Sequence, residues 1–394
     1  MCNGFNFILL YLQGWKIIII NKNIYYLGIV SFFTDFASAM ITPILPIFIV
    51  YILHDGIDKL GIIIAISTFV SYFFRILFGY LSDRFQVTKP FLVFGYFISA
   101  ITKPLFSFSS SYESVAAIKS IERMGKAIRT APKDALISHY SKTKESGKTF
   151  GFHKTMDIAG ELFGTIAIFC ILYFYGESED ILRNIFLLTV IPGIIGVLVL
   201  LLFVEDIAYK QKNEKYQFQK ADYKLFPTLF IYFCFVFFVL SDSFFIIVVK
   251  EAGYLTAYIP LFIIASTLTQ TLSSYYFGVM SDKKGSQVIL NTSYLFGILS
   301  ILSLHFGLLW FGFIFLGIFT VSSLNAIRSY ISDNAINKAS IYGLFYAGIA
   351  LFSSLGALNI GYIWQKFGED NALIFSLFGM IIVFLFSLLK SIRR

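Results

Sequence analysis

Apolar stretches long enough to cross a lipid bilayer recur along almost the whole chain of 394 residues. A membrane-spanning helix needs about 20 mainly apolar residues, and twelve such segments can be placed in this sequence. They cover residues 26–50, 60–81, 90–109, 114–136, 150–174, 184–203, 225–248, 256–279, 287–305, 308–330, 341–364 and 371–389. This pattern predicts an all-α membrane protein with twelve transmembrane helices.

The composition agrees with this prediction. Hydrophobic residues make up 57% of the chain and charged residues only 14%, whereas a soluble domain carries about a quarter charged residues. The net charge of +8 is dispersed rather than gathered in one basic domain, so we do not expect nucleic acid as a partner. The three cysteines and four histidines show no disulfide or metal-ligand spacing, and no phosphate-binding loop or nucleophile motif occurs. We therefore expect no metal, no cofactor and no enzymatic activity.

The positions of Lys and Arg predict the orientation of the chain. Eighteen of them lie in the termini and in the loops on the same side as the termini, and four lie in the loops on the other side. Because basic loops stay in the cytoplasm, both termini are predicted to be cytoplasmic, in the cytoplasmic (inner) membrane. Residues Phe5–Ile20 are also apolar, but Gln13, Gly14 and Lys16 interrupt them. We interpret them as an interfacial or poorly ordered extension and not as a span.

The longest polar break is Glu205–Lys224, and it separates the spans into six and six. We predict an N-terminal extension (1–23), a first six-helix bundle (24–204), a cytoplasmic linker (205–224) and a second six-helix bundle (225–394).

An internal repeat supports this division. The sequence Gly79–Arg84 recurs as Gly278–Lys283, 199 positions later, and Ala127–Arg129 recurs as Ala326–Arg328 at the same offset. Gly164 matches Gly356 at a slightly shorter offset. The repeat predicts two pseudo-symmetric bundles in the same orientation, an arrangement typical of transporters whose site lies between the two bundles.

These residues resemble the major facilitator superfamily, from about Ile24 onward. The fourth-span sequence RMGKAIRTAPKDALI (Arg123–Ile137) is similar to the pattern R-x-G-K-G-x-R-x-x-P-R-D-A-L-I of a bacterial subgroup, and GFHKTMD (Gly151–Asp157) follows it as in that subgroup. The resemblance implies a transporter that works by alternating access. We expect a monomer in the lipid bilayer that binds a small solute and protons or another coupling ion.

The chain departs from the patterns of the superfamily at four positions. Gln86 replaces a glycine of the loop motif, Ala127 and Lys133 replace glycine and arginine in the fourth span, and Thr165 follows Gly164 where many exporters have proline. The last change weakens an assignment as an antiporter.

The repeated residues are predicted to form an inner gate: Gly79, Asp83, Arg84, Gly278, Asp282, Lys283, Arg129 and Arg328. Gly79 would allow a neighbouring helix backbone to approach closely. Asp83 would accept hydrogen bonds at the start of the eleventh span, near Ser340, where the helix dipole favours an anion. Asp282 would do the same at the start of the fifth span, near Phe150. The resemblance implies that this latch closes the inner side.

The fourth span carries an unusual number of charges. Lys119, Arg123, Lys126 and Thr130 follow one helical stripe, and Glu122 precedes Lys126 by four residues, which suits an ion pair. Charged side chains in a membrane face a cavity or pair with one another. Two interpretations therefore stay open: structural salt bridges around a mostly neutral cavity, or an excess of positive charge that attracts an anionic substrate.

Proton coupling requires a carboxylate that binds and releases protons as its surroundings change. Asp35 has no partner nearby in the sequence and is our preferred coupling residue; Asp157, four residues after His153, is the second choice. Arg75 and Lys103 are expected to be structural. The residues predicted to bind substrate or a coupling ion are Asp35, Lys119, Glu122, Arg123, Lys126 and Asp157.

We predict a secondary active transporter of a small organic solute that is energised by an ion gradient, and we expect the ion to be the proton. The solute is expected to be an anion, with siderophore-like carboxylates included. The alternatives are an exporter of hydrophobic compounds and, outside transport, a receptor or a lipid-handling protein with the same fold.

Overall fold

The computed structural model of the chain describes residues 6–9, 18–85, 87–140, 146–206, 220–336 and 338–392. Near the N-terminus, strands β1 (Asn6–Leu9) and β2 (Ile18–Asn21) pair antiparallel. Asn21 then accepts a hydrogen bond from the Asn23 N–H at 2.9 Å and caps helix α1 (Lys22–Ile41). In its described part, the predicted extension is therefore a short hairpin, which the sequence did not predict.

The remaining structure is helical. In chain order the helices are α1 (Lys22–Ile41), α2 (Leu45–Ile47), α3 (Ile57–Phe85), α4 (Lys89–Leu105), α5 (Tyr112–Tyr140), α6 (Ser146–Tyr175), α7 (Glu179–Leu188), α8 (Val190–Phe203), α9 (Phe226–Phe238), α10 (Asp242–Glu251), α11 (Ile259–Lys284), α12 (Ser286–His305), α13 (Leu309–Asn334), α14 (Lys338–Phe367) and α15 (Glu369–Ile392). Shorter turns connect them: a π-helical turn (Phe48–Ile52) and three 3₁₀ turns (Phe106–Phe108, Lys220–Leu225, Thr256–Tyr258).

Among the described residues, ten helical segments are long and apolar enough to cross a membrane. The other two predicted spans fall on α5 in the first half and α11 in the second half, which are also long helices but more polar. Helix α5 carries the charged stripe, and α11 is rich in Ser, Thr and Gln. The prediction of an all-α membrane fold is confirmed, and the count of twelve is consistent with it.

The packing repeats between the two halves. In the first half, α1 packs on α6 and α8, while α4 packs on α5 and α8 and α3 packs on α5. In the second half, the corresponding helix α9 packs on α14 and α15, while α12 packs on α13 and α15 and α11 packs on α13. Even the matched glycines have equivalent roles, because Gly164 lies against the Phe36 backbone and Gly356 against the Phe237 backbone. The halves are therefore pseudo-symmetric six-helix bundles.

The two halves meet through two symmetry-related helix pairs. Helix α3 packs against α14, and its counterpart α11 packs against α6; α2 also contacts α10. At the α3–α14 crossing the backbones are close, since a Cβ atom on Gly61 would lie 2.7 Å from the Ala357 carbonyl oxygen. This crossing lies toward the side opposite the chain termini, which we call the far side.

The first and seventh predicted spans are broken at matching places. The first is interrupted between α1 and α2 at residues 42–44, where Pro43 lacks the backbone N–H that would continue the helical hydrogen bonds. The seventh is interrupted at residues 239–241, where Val239 and Ser241 have extended backbones. The repeat offset of 199 pairs Thr42 with Ser241. Both breaks face the interior between the halves, so both can contribute to a site there.

Large apolar side chains cover the outside of the bundle. Leu202 is 72% exposed and Leu272 is 79% exposed. A soluble monomer rarely exposes apolar surface on this scale. The outer surface therefore suits contact with lipid.

Candidate functional site

A cavity with two adjoining lobes lies at the centre of the bundle. Lobe A, of about 260 Å³, is enclosed mainly by α1, α5 and α6, with Tyr96 of α4 and Ile263 of α11 completing its wall. Lobe B, of about 400 Å³, lies between α2, α3 and α5 of the first half and the start of α10 in the second half. Both lobes are lined by Thr42, Lys119, Arg123 and Lys126. Cavities of this size accommodate small organic ligands.

Lobe A gathers all the residues that the sequence predicts for substrate or ion binding. Its lining includes Asp35, Lys119, Glu122, Arg123, Lys126 and Asp157. Arg129, Lys133, Lys154 and Glu161 add further charge, so that basic side chains outnumber acidic ones by six to four. The structure thus places the six residues together. Their roles in binding stay a prediction.

Glu122 anchors the charged stripe of α5. Its carboxylate is almost fully buried and lies 3.2 Å from the Lys119 Nζ and 3.7 Å from the Arg123 Nε. The predicted partner, Lys126, is not paired with it. That expectation was wrong, because Glu122 turns toward the preceding turn of α5 and toward its sequence neighbour. Glu122 therefore compensates two cations and leaves Lys126 to the cavity.

Lys126 and Asp35 face the cavity with unpaired charges. Neither side chain has a hydrogen bond or an ion pair with another described residue. Both are half-buried, and they attract one another electrostatically across lobe A. A buried charge is costly unless a partner compensates it. These two groups are consequently the ones best prepared to bind an ion that enters the cavity.

Arg129 lies in the wall of lobe A. It is buried, donates a hydrogen bond of 2.6 Å from Nη1 to the Ser99 Oγ, and stacks over the Tyr96 ring at 4.4 Å. Its repeat partner Arg328 is exposed and donates to the Tyr346 hydroxyl at 3.1 Å. The two arginines therefore occupy different environments. Arg129 belongs to the cavity, whereas the sequence had assigned both to the inner gate.

A buried polar chain crosses the first half next to the cavity. Asp157 Oδ1 lies 3.3 Å from His153 Nδ1, and His153 Nε2 lies 3.0 Å from the Ser31 Oγ. The Ser31 hydroxyl in turn lies 3.5 Å from the Tyr96 hydroxyl. Asp157 is thus held by His153, as its spacing predicted, whereas Asp35 stands alone.

Lys103 and Arg75 behave as structural groups. Lys103 is 1% exposed and donates a hydrogen bond of 3.0 Å to the Thr34 carbonyl oxygen, away from both lobes. Arg75 lines lobe B, but its guanidinium lies 5.1 Å from the Tyr72 ring centroid and 5.6 Å from the Tyr346 ring centroid, beside the stacked pair that these two rings form. Since Tyr346 belongs to the second half, Arg75 helps to join the two bundles.

The inner-gate prediction is described only in part. The side chains of Asp83, Arg84 and Asp282, as well as that of Phe150, lie outside the described residues. Lys283 is exposed.

Gly79 does not serve the close contact that was expected of it. A Cβ at Gly79 would meet the Ala131 Cβ at an ordinary 3.5 Å, and a Cβ at Gly278 would meet no described atom within 4 Å. The close backbone approach lies instead at Gly61, near the far side, where α3 crosses α14.

On the far side, several contacts that sequence reasoning missed join the halves. The Glu177 carboxylate, in the loop after α6, accepts hydrogen bonds from Lys250 Nζ at 3.0 Å and from the Thr256 N–H at 3.0 Å. The Gln365 side chain accepts one from the Ile57 N–H at 2.9 Å. Such residues carry no local motif. These contacts hold the two halves together on the far side.

Nearer the cavity, Glu161 of α6 accepts a hydrogen bond of 3.0 Å from the Thr267 hydroxyl of α11. This contact crosses between the halves at the edge of lobe A. A change in the charge of Glu161 or in the cavity beside it would therefore alter a contact between the two bundles.

Comparisons with known proteins agree with the fold. An uncharacterised MFS-type transporter from Methanocaldococcus jannaschii is 32% identical over 382 residues, which cover 92% of this chain and 93% of the relative. The crystal structure of a mutant of the nucleoside transporter NupG superposes with a TM-score of 0.78 at 14% identity, over 93% of this chain and 98% of that one. The human organic anion transporter MFSD10 superposes with a TM-score of 0.65 at 11% identity, over 93% and 99%.

The sequence model of the Major Facilitator Superfamily matches residues 27–357. Together with the repeated bundles and the cavity between them, this match means that the chain is a multi-pass membrane protein of the Major Facilitator Superfamily.

Proposed function

We propose that this protein is a secondary active transporter that carries a small organic solute with a carboxylate group across the cytoplasmic membrane. The observation that carries the proposal is Lys126, a cation that lines both lobes of the central cavity without an ion-pair partner among the described residues. Arg123 lies beside Lys126. Its ion pair with Glu122, at 3.7 Å, is longer than the one between Lys119 and Glu122, at 3.2 Å. A carboxylate that enters the cavity can bind between these two groups.

The solved structures that are similar to this protein do not identify its substrate. One is named as a nucleoside transporter and another as an organic anion transporter, so the same fold accommodates solutes of different charge. At 14% and 11% identity these neighbours support the fold alone. The proposal for an anion therefore rests on the charges of this chain.

Alternating access is supported by the contacts between the halves. The far side is held by separate polar contacts at Glu177 and Gln365 and by the close backbone crossing at Gly61. Such contacts can break and re-form as the bundles rock, since no covalent link or interleaved helix fixes them in the described residues. The pseudo-symmetry of the bundles favours the same exchange of contacts on the other side.

Proton coupling is assigned to Asp35, with Asp157 as the second choice. Asp35 lines lobe A, lacks a hydrogen bond to any described group, and interacts electrostatically with Lys126. A proton on Asp35 would remove this attraction and change the affinity of Lys126 for an anion. Asp157 is less available because His153 already holds it.

The test is solute counterflow into proteoliposomes that contain the purified protein. A panel of labelled mono-, di- and tricarboxylates, nucleosides and hydrophobic cationic dyes is offered, and we expect carboxylates to exchange. Lys126→Gln should abolish this exchange, whereas Lys366→Gln, which removes a lysine on the far-side surface, should retain it. Exchange of the dyes alone, unaffected by Lys126→Gln, would overturn the proposal in favour of the exporter of hydrophobic compounds.

A further inference from the structure

Asp242 of the second half is presented to the cavity from a rigid position. It is the first residue of α10, directly after the break at residues 239–241. After Ser243, the six residues 244–249 of this helix are all buried. The Asp242 side chain itself is exposed to lobe B. The packed helix therefore holds one carboxylate at a fixed place in an otherwise open cavity.

The charge of lobe B is divided between the two halves. The first half contributes four basic side chains, Arg75, Lys119, Arg123 and Lys126, and Asp242 is the one acidic residue in the described lining of this lobe. Arg123 is the basic group that interacts with Asp242 electrostatically. Asp242 nevertheless forms no ion pair within 4 Å with any described residue. Lobe B therefore has basic side chains from the first half and one acidic side chain from the second half in its described lining.

Lys126 on one side of lobe B and Asp242 on the other have no ion-pair partner among the described residues. An isolated carboxylate in a membrane interior is costly, and so is an unpaired ammonium. A dicarboxylate would neutralise Lys126 and Arg123 but would bring a second negative charge toward Asp242. A solute with one carboxylate and one amino group would compensate both sides at once. Because these sides belong to different bundles, such a solute would also connect the two halves.

We propose that the transported solute is zwitterionic, and that Asp242 binds its ammonium group while Lys126 and Arg123 bind its carboxylate. This inference rests on the proposed function and narrows its substrate class. Asp242 is then the residue that selects amino acids and similar zwitterions over simple carboxylates. The volume of lobe B, about 400 Å³, allows a separation of several bonds between the two charged groups.

The experiment measures competition in the counterflow assay with probes of graded structure. The probes are straight-chain ω-amino acids with two to seven methylene groups, the dicarboxylates of the same length, and the matching monoamines. We expect one or more ω-amino acids to compete at least about tenfold better than the matched dicarboxylate, which is the size of effect that a hydrogen-bonded charge pair supplies. Asp242→Asn should remove this preference, and Asp242→Glu should retain it with an altered optimal length.

The outcomes separate this inference from the proposed function. If dicarboxylates are exchanged in a Lys126-dependent way and Asp242→Asn leaves the preference unchanged, the zwitterion proposal is wrong while anion transport stands. If no carboxylate or amino acid is exchanged, both are wrong. Thermal unfolding of Asp242→Asn controls for folding, and we expect it to match the unsubstituted protein because the lost charge has no protein partner.

Discussion

The Glu122 carboxylate lies 3.2 Å from the Lys119 ammonium group, one turn away on α5, in a site where Glu122 is almost fully buried. Arg123 lies on its other side at 3.7 Å. Removing one member of a buried ion pair leaves its partner uncompensated and costs about 3–5 kcal/mol. We expect Glu122→Gln to lower the midpoint of thermal unfolding strongly.

The matched control is Glu179→Gln. Glu179 also pairs with a basic residue of its own helix, Arg183, at 2.7 Å, but it is exposed on α7. Exposed pairs contribute about 1 kcal/mol or less. Thermal unfolding in the same detergent should show a large shift for Glu122→Gln and almost none for Glu179→Gln. Equal shifts of the unfolding midpoint in the two variants would mean that the ion pairs of Glu122 with Lys119 and Arg123 do not stabilise the fold.

Lys103 and Lys126 should respond in opposite ways to replacement by methionine. Lys103 is buried with a backbone carbonyl as its partner and lies outside both lobes, so an apolar side chain of similar length should retain transport and leave stability unchanged or higher. Lys126→Met should fold but lose carboxylate exchange. Counterflow and thermal unfolding of both variants provide the measurement. Loss of exchange in Lys103→Met with normal folding would place Lys103 in the transport path.

The crossing of α3 and α14 at Gly61 predicts a conformational defect. A side chain there would meet the Ala357 carbonyl at 2.7 Å, and overpacking of this kind costs about 1–3 kcal/mol. The cost arises only when the far side is closed, so Gly61→Leu should favour the state that is open there by roughly tenfold or more. Spin labels at the exposed positions Asp180 and Leu308, one in each half, would report a longer distance. Gly343→Ala on α14 is the control, since its Cβ would meet no described atom within 4 Å. A longer distance in this variant as well would mean that overpacking at Gly61 is not the cause of the opening.

The contact at Glu177 predicts a pH dependence of the closed far side. Partial burial raises the pKa of Glu177, but hydrogen bonds from Thr256 and Lys250 outweigh it and hold that pKa below its usual value. Because the pKa is lower in the closed state, Glu177 stabilises closure above the usual carboxyl pKa of about 4.3, and this contribution is lost as the pH falls through the lower value. The distance between labels at Asp180 and Leu308 should therefore lengthen at acidic pH.

Glu177→Gln should show the longer distance already at pH 7, with little further change on acidification. Glu179→Gln, in the neighbouring helix, should keep the pH dependence of the unsubstituted protein. An identical pH response in Glu177→Gln would assign the effect to another group.

The bounds of the membrane helices could be predicted because bilayer thickness imposes a length that apolar composition reveals. Each predicted span lies within about five residues of a helical segment. The break after α1 had a visible signal in Pro43 and Pro46, whereas the break before α10 contains no proline. Ser241 could be placed there only through the repeat with Thr42. Helix breaks without proline depend on packing with other helices, and local sequence does not record that packing.

The sequence predicted which residues line the cavity better than it predicted which of them form ion pairs with one another. Helical spacing brought Lys119, Arg123 and Lys126 to one face, and they line the cavity together. Spacing alone did not show that Glu122 would turn toward Lys119, because two partners were within reach of one carboxylate. The sequence also could not predict the environment of Arg129, because this environment depends on Ser99 and Tyr96 of another helix.

We propose that a proton gradient drives accumulation of a carboxylate-bearing solute through this cavity, with Asp35 as the coupling group. The measurement is uptake of the exchanged solute into proteoliposomes under an imposed pH gradient, compared between the unsubstituted protein and Asp35→Asn. We predict accumulation above the external concentration for the unsubstituted protein, abolished by a protonophore, and only equilibration for Asp35→Asn with counterflow intact. Full uphill accumulation by Asp35→Asn would contradict the account.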